Sequence, residues 1–265
     1  MKINCVIVTY NRLSLLKECI SALKNQTYKI NKIYIINNNS TDGTSDYLQE
    51  LIADSQFVII NLPQNIGGAG GFSEGIKRVV LDGCDWAWIM DDDTIPMNNA
   101  LEELVKGTTV TKNVGYVCSR VVWTDGMIHK MNIPRFDCEN KQHLPINYYS
   151  NLADVLLIRA ASFVSLLINS KAVREVGLPI KEFFIWGDDT EFTTRIYQHG
   201  YVCLYASQST VIHKTTENYI SQLQNAPVEA LWKFQYGFRN DIFLRRMRKK
   251  NFPWVIFPAL WLLFQ

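Results

Sequence analysis

Trp86-Ala87-Trp88-Ile89-Met90-Asp91-Asp92-Asp93 is an unbroken apolar run that ends on three consecutive carboxylates. A short apolar run without polar alternation reads as a strand buried on both faces, the kind found inside a parallel sheet. Three adjacent carboxylates repel one another and bury badly, so a stable reason for them at a strand end is a hard cation that offsets their charge. Alternation along an extended backbone points Asp91 and Asp93 the same way, which suits joint service to one Mg²⁺ or Mn²⁺. An acidic turn that caps a helix ahead of Pro96 and Leu101 explains the same residues, although capping needs only one acid.

Upstream of this strand, short apolar runs alternate with helix-period segments. Residues 3–8 read as a buried strand, and Leu16, Cys19, Ile20 and Leu23 form a helical stripe. Residues 33–36 are a second strand, the polar loop at 37–43 leads into a helix over 44–52, and residues 57–60 are a third strand. The glycine-rich stretch 67–71 reads as a turn into a helix that runs through Val80. This order predicts an α/β protein with a mostly parallel sheet, whose ligands gather outside the carboxyl ends of the strands. Downstream, periodicity weakens after Leu104, and 127–150 reads as a polar, aromatic insert, functional or mobile. Regular structure returns over 152–176, a helix follows through Gln198, and 201–205 and 210–213 read as two short strands. No linker or repeat interrupts the chain, so 1–215 is expected to form one domain and 216–265 a helical tail.

Composition excludes several classes. The 265 residues carry 27 Lys and Arg against 25 Asp and Glu, a net charge of +2 that gives no general nucleic-acid signal. With 48% hydrophobic and 20% charged residues, the chain is globular, and disorder, collagen and coiled coil are excluded as its main state. Six cysteines without a CxxC pair suit a reduced cytoplasmic protein, with neither disulfides nor structural zinc expected. The first ten residues lack a signal-peptide pattern, and the apolar stretch 252–264, broken by Pro253 and Pro258, is shorter than the roughly 20 residues a spanning helix needs.

A second acidic group, Asp188-Asp189 with Glu191, follows the bulky Phe183-Phe184-Ile185-Trp186 and opens a helix. Desolvation beside aromatic rings raises a carboxylate's basicity, which suits a general base acting on a hydroxyl; one of the pair can equally cap the helix. His213 ends a short apolar run, where a neutral imidazole could complete a metal site with the aspartates or serve as a structural residue. The glycine run fits neither common phosphate template. From Gly68 the dinucleotide pattern meets Ser73 at its last glycine, and from Gly70 the P-loop pattern meets Ile76 in place of Lys. What remains is a loop that lets backbone approach a ligand, or a tight strand-to-helix turn.

Taken in order, Val8-Thr9-Tyr10-Asn11-Arg12, Asn38-Asn39-Ser40-Thr41-Asp42-Gly43-Thr44, Asn65-Ile66-Gly67-Gly68-Ala69-Gly70-Gly71-Phe72, Met90-Asp91-Asp92-Asp93-Thr94-Ile95-Pro96 and Phe183 through Phe192, closed by Val211-Ile212-His213-Lys214, resemble the inverting glycosyltransferases of family 2. Within that family the chain looks like the rhamnosyltransferase and galactofuranosyltransferase branch. The resemblance implies the GT-A fold, with a Rossmann-like, mostly parallel sheet. It implies that Thr9, Tyr10, Asn11 and Arg12 face the base and ribose of a UDP- or dTDP-linked sugar, with Asn37, Asn38, Gly67, Gly68, Asp91 and Asp92 also on the donor side. Asp91, Asp93 and His213 would hold Mn²⁺ or Mg²⁺, Asp189 would act as base with Asp188 beside it, and Phe72, Trp186 and Glu191 would line the acceptor side. The family usually carries an acid at the position of Asn37, and an amide there alters base recognition more than catalysis. The implied product is a bacterial surface glycan such as O-antigen, capsule or cell-wall polysaccharide, built on a lipid-linked acceptor. A nucleotidyltransferase and a catalytically silent glycan-binding subunit are the competing readings.

The tail carries Arg239, Arg245, Arg246, Arg248, Lys249 and Lys250 against the single acid Asp241, and then Phe252-Pro253-Trp254 and an apolar end. Cations followed by aromatic residues fit an anchor on the anionic inner face of the cell membrane. A helix packed on the catalytic domain, or an oligomer contact, accounts for the same pattern.

Overall fold

The computed structural model describes residues 1–137 and 144–248. Its first half alternates strand and helix as expected: β1 (Ile3–Thr9), α1 (Leu13–Lys24), β2 (Lys32–Asn37), α2 (Thr44–Leu51), β3 (Phe57–Asn61), α3 (Gly67–Leu81) and β4 (Trp86–Asp91). The chain continues through β5 (Thr94–Pro96), α4 (Ala100–Gly107), β6 (Val114–Val122), β7 (Arg135–Phe136), β8 (Val155–Ala160), β9 (Leu166–Asn169), α5 (Ser170–Val176), α6 (Asp188–Gln198), β10 (Val202–His213) and α7 (Trp232–Arg248).

All strands belong to one sheet of order β3-β2-β1-β4-β9-β6-β10-β8-β7, with β5 paired to β10. β1, β2, β3 and β4 are mutually parallel, β6 and β10 run the same way, and β9 lies antiparallel between β4 and β6. Every residue of β1 is buried, because the strand sits mid-sheet with helices over both faces. Cys5 and Ile7 point into a core with Leu16, Cys19, Ile20 and Leu23 of α1 and Leu101 and Leu104 of α4. Val6 and Val8 point the opposite way, toward Ile76 and Val79 of α3 and Phe192 and Ile196 of α6. The strand period of two thus feeds two apolar layers from one sequence run, and each fully buried Ile or Leu contributes about 1.5–3 kcal/mol of transfer free energy.

Several expectations change. The glycine stretch is not a turn: residues 67–71 form the opening of α3 itself. A Cβ at Gly71 would lie 2.5 Å from the Val8 side chain, so this helix closes onto β1 nearer than any larger residue allows. Residues 201–205 and 210–213 belong to one strand, β10, whose pairing with β6 shifts register between Ala206 and Thr210. In that irregularity Ser209 joins a buried hydroxyl chain, with its Oγ 2.7 Å from Ser119 Oγ and 2.8 Å from the Ala100 carbonyl it donates to. The weakly periodic stretch after Leu104 contains β6, one of the longest strands of the sheet. Part of the polar insert is ordered against the core, including His129, which is fully buried.

Cys5, Cys19, Cys84, Cys118 and Cys203 are buried free thiols, and Cys138 lies outside the described residues. Among the described residues no helix is long and apolar enough to cross a membrane. Lys249, Lys250 and the apolar stretch 252–264, on which the membrane expectation rests, lie outside the described residues, as does the side chain of Arg248.

Candidate active site

Strand register brings the expected residues to one edge. Val8 pairs with Asp91 and Thr9 with Asn37, so the carboxyl ends of β1, β2 and β4 lie side by side. After Asp91 the chain turns at Asp92 and Asp93, and not along an extended backbone, before β5 pairs antiparallel with the end of β10. His213 stands opposite Thr94 in that pairing, beside Asp93. Ligand atoms of Asp91, Asp93 and His213 all lie within 4.8 Å of one another. The triplet caps no helix, since α4 begins at Ala100 with Asn99 before it.

Asp92 faces the other way. Its carboxylate accepts from Thr9 Oγ1 at 2.8 Å and from the Tyr10 amide at 3.3 Å, and Arg12 Nη1 lies 3.3 Å away. Arg12 also pairs with Asp93 Oδ2, so one half-exposed guanidinium bridges two buried acids. Burial pushes the Asp92 carboxyl up to about 7 against the pull of Arg12, and burial with repulsion from Asp93 pushes Asp91 up to about 6. For Asp93, burial acts upward but His213 and Arg12 outweigh it and hold the carboxyl below the usual range.

The donor set fits a divalent cation on two observations. His213 Nδ1 donates to Asn132 Oδ1 at 2.8 Å, an orientation supported by Asn132 Nδ2 donating to Ser162 Oγ. That bond leaves Nε2 with its lone pair 3.1 Å from Asp93 Oδ1, itself buried without a hydrogen-bond partner. Two electron-rich atoms at that separation need a positive charge between them, either a proton on the imidazole or a metal ion. Burial disfavours the imidazolium, yet the Asp93 carboxylate overcomes it and raises the His213 pKa.

Behind His213 lies His129, which the sequence reading did not single out. Its ring centroid is 4.6 Å from that of His213, and its Nε2 lies 2.9 Å from Thr215 Oγ1. Burial, reinforced by His213, lowers its pKa to about 4 and keeps it neutral. Nothing in an aperiodic insert marks such a residue in advance.

The loops around the edge are tied by side-chain amides. Asn37 Oδ1 accepts from the Ser40 amide at 3.0 Å while Nδ2 donates to Ser45 and Asn61, so this buried residue braces its own loop. Asn38 accepts from the Ile66 amide and donates to the Gly67 carbonyl, joining the second loop to α3. Asn11, at φ 54°, accepts from the Thr41 amide at 2.7 Å, and Tyr10 remains exposed. Gly67 has φ +74°, and Gly68 has no atom within 4 Å of an added Cβ.

Asp188 and Asp189 open α6, preceded by Gly187 at φ +88°, which as the cap position has no side chain to offer. Both acids are pushed above the ordinary range, first by burial; Asp189 further raises Asp188, while the Thr190 amide and then Arg135 of β7 moderate Asp189. The charge of Asp189 is a minor contributor to the rise at Asp91. Three acceptor-side expectations find other surroundings. Phe72 is buried against Phe163 at 5.0 Å between ring centroids, in the core beneath α3. Glu191 is buried in a two-bond pairing with Arg195, whose guanidinium also donates to the carbonyls of Val176 and Leu178. Trp186 packs edge-on against Phe234, from the approach to α6 onto α7.

The profile of "Glycosyl transferase family 2" matches residues 5–177. Galactofuranosyltransferase GlfT1 of Mycolicibacterium smegmatis is 26% identical over 213 residues, covering 76% of this chain and 68% of that protein. Among solved structures, GalNAc-T7 with UDP, GalNAc and Mn²⁺ superposes with a TM-score of 0.65 at 16% identity, over 81% of this chain and 44% of that one. TarS of S. aureus superposes with a TM-score of 0.60 at 13% identity, over 82% of this chain and 37% of that one, so the chain spans less than half of either structure. The two structural likenesses show a shared GT-A-like fold.

Proposed function

The chain belongs to glycosyl transferase family 2, and on that premise we propose that it is a metal-dependent, inverting enzyme. It moves a sugar, galactofuranose or rhamnose, from a UDP- or dTDP-linked donor to a hydroxyl of a lipid-linked bacterial surface glycan. The observation that carries this reading is the cluster of Asp91, Asp93 and His213 at the carboxyl edge of the sheet, and the acids Asp188 and Asp189 that open α6 support it. The similarity to a galactofuranosyltransferase supports the choice of sugar.

Asp91, Asp93 and His213 would hold Mn²⁺ or Mg²⁺, which when bound stabilises the growing charge on a diphosphate leaving group without proton transfer. Thr9 and Arg12, fixed by Asp92, and the loops of Asn37 and Asn38 frame the donor side. Asp189 takes the proton of the acceptor hydroxyl; burial strengthens it as a base, while the hydrogen bonds of Thr190 and then the charge of Arg135 temper that rise. Asp188 shapes the acceptor side. A single displacement of this kind inverts the anomeric centre, with one base and no flanking pair of carboxylates. Residues 1–215 bear the groups named here, and the segment from 216 onward brings the enzyme to the inner face of the membrane.

A panel of UDP- and dTDP-linked sugars, assayed for nucleoside diphosphate release and transfer to a glycan acceptor, tests the proposal. Wild type is expected to turn over one donor, to stop on chelation and to recover with Mn²⁺ or Mg²⁺. Asp93→Ala and His213→Ala are expected to lose on the order of 10²-fold or more. Turnover unchanged by chelator and by both substitutions would overturn the metal assignment, and pyrophosphate as product would overturn the reaction class.

A further inference from the structure

The acids opening α6 are reached through residues 183–187, a segment with no regular secondary structure after the short 3-10 turn Lys181–Phe183. Phe184 and Trp186 have φ of 64° and 65°, and Gly187 follows at +88°. Side chains of ordinary residues resist that conformation, so something outside the segment must hold it.

The carbonyl groups identify the holder. Phe184 O accepts from the Ala69 amide of α3 at 3.1 Å. The carbonyls of Phe183, Ile185 and Trp186 all accept from one side-chain nitrogen, Asn240 Nδ2 on α7, at 3.0, 3.1 and 2.7 Å. Asn240 is 1% exposed. Its orientation is fixed chemically: carbonyl oxygens only accept and a guanidinium only donates, so Nδ2 faces the segment and Oδ1 faces Arg239, which donates to it from Nε and Nη2. Arg239 Nη2 donates onward to the carbonyls of Glu182 and Phe183. Around this polar centre Tyr236 stacks on Phe184 at 4.8 Å and Phe234 meets Trp186 edge-on at 4.8 Å. The family profile ends at residue 177, so both the segment and its holder lie beyond the stretch it matches.

We propose that Asn240 is a positioning residue for Asp188 and Asp189, and that α7 thereby sets the place of the base instead of acting as an appended tail. The proposal rests on the reading of Asp189 as base given above. Asn240 is buried and acts through the segment; it supplies the hydrogen bonds without which the carbonyls of Ile185 and Trp186 lose the partner described above and the left-handed residues relax.

The test uses the full chain with Asn240→Asp, which keeps the shape and replaces donors by acceptors, Asn240→Ala, and Gln235→Ala on the exposed side of α7 as control. Both Asn240 variants are expected to lower kcat by about 10–100-fold through displacement of the base, while donor affinity by calorimetry changes little because β1, β2 and β4 are untouched. Amide hydrogen exchange is expected to quicken across 184–190 and to stay unchanged in β1 to β4; the control should match wild type throughout. Wild-type kcat in both Asn240 variants, or exchange that quickens evenly over the whole sheet with a matching loss of thermal stability, overturns the proposal. If wild type transfers no sugar, the functional reading fails separately, and the exchange pattern still decides whether Asn240 holds the segment.

Discussion

Gly67 and Gly68 are adjacent, yet replacing each by alanine should have opposite effects. At Gly67 the backbone has φ +74°, and an added Cβ would lie 2.1 Å from the Phe184 carbonyl oxygen and 2.7 Å from its carbon. The left-handed conformation costs an alanine roughly 1–2 kcal/mol. Relieving the overlap moves the Phe184 carbonyl by about 1 Å, beyond hydrogen-bond range of the Ala69 amide, which adds about 1–3 kcal/mol for the lost and unsatisfied groups. A loss of about 2–5 kcal/mol lowers the Tm of a domain this size by roughly 5–15 °C. The moved carbonyl belongs to the segment that leads to Asp188, so transfer should also fall about 10²-fold. At Gly68 nothing lies within 4 Å of the added Cβ, and the residue sits in a helix, so alanine should hold or raise stability by up to about 1 kcal/mol. Thermal unfolding followed by circular dichroism, with a donor-turnover assay on the same samples, measures both. A Gly67→Ala protein that melts with wild type, or a Gly68→Ala protein that falls equally far, would refute the close packing of α3 against that segment.

Two further expectations concern the base and the tail. Asp189→Asn should abolish transfer and leave donor binding by calorimetry nearly intact, since the amide keeps the shape and loses the basicity. Burial raises the Asp189 pKa, and the working form is the ionised one, so wild-type kcat should fall as pH drops through a limb lying above the ordinary carboxylate value of about 4; a limb at or below that value contradicts a desolvated base. Replacing Arg245, Arg246, Arg248, Lys249 and Lys250 by Gln should weaken sedimentation with anionic vesicles by about 1 kcal/mol per cation and flatten its salt dependence, with little change on a short soluble acceptor. Equal sedimentation of the two proteins, or none of either, would assign the tail to packing or oligomer contact.

The first half of the fold was legible because its strands are buried on both faces and its helices bury one stripe, as Leu16, Cys19, Ile20 and Leu23 of α1 do. The nearness of Asp91 and Asp93 was legible for a different reason: three acids in a row at a strand end draw attention to a shared partner. Where reading failed, tertiary contact overrode local preference. Glycines are poor helix formers, and Gly67 and Gly71 stand in the opening of α3 because Phe184 and β1 come too close for anything larger. The shift between Ala206 and Thr210 in β10 has no local signature, since it is set by pairing with β6 and by the buried hydroxyls of Ser119 and Ser209. Asn240 escaped notice because it sits in a run that reads as a basic tail. Its importance comes from what faces it.

The bridge from Arg12 to Asp92 and Asp93 also bears on the order in which ligands arrive. Under the proposed function an anionic nucleoside diphosphate would come to rest beside the acids that Arg12 bridges, and Asp93, held ionised, would repel it. Asp92 and Asp93 are buried, so that repulsion is weakly screened. On that proposal a divalent ion would enter before the sugar nucleotide or in company with it, and the kinetics would be those of compulsory addition, with the free nucleotide a poor ligand alone.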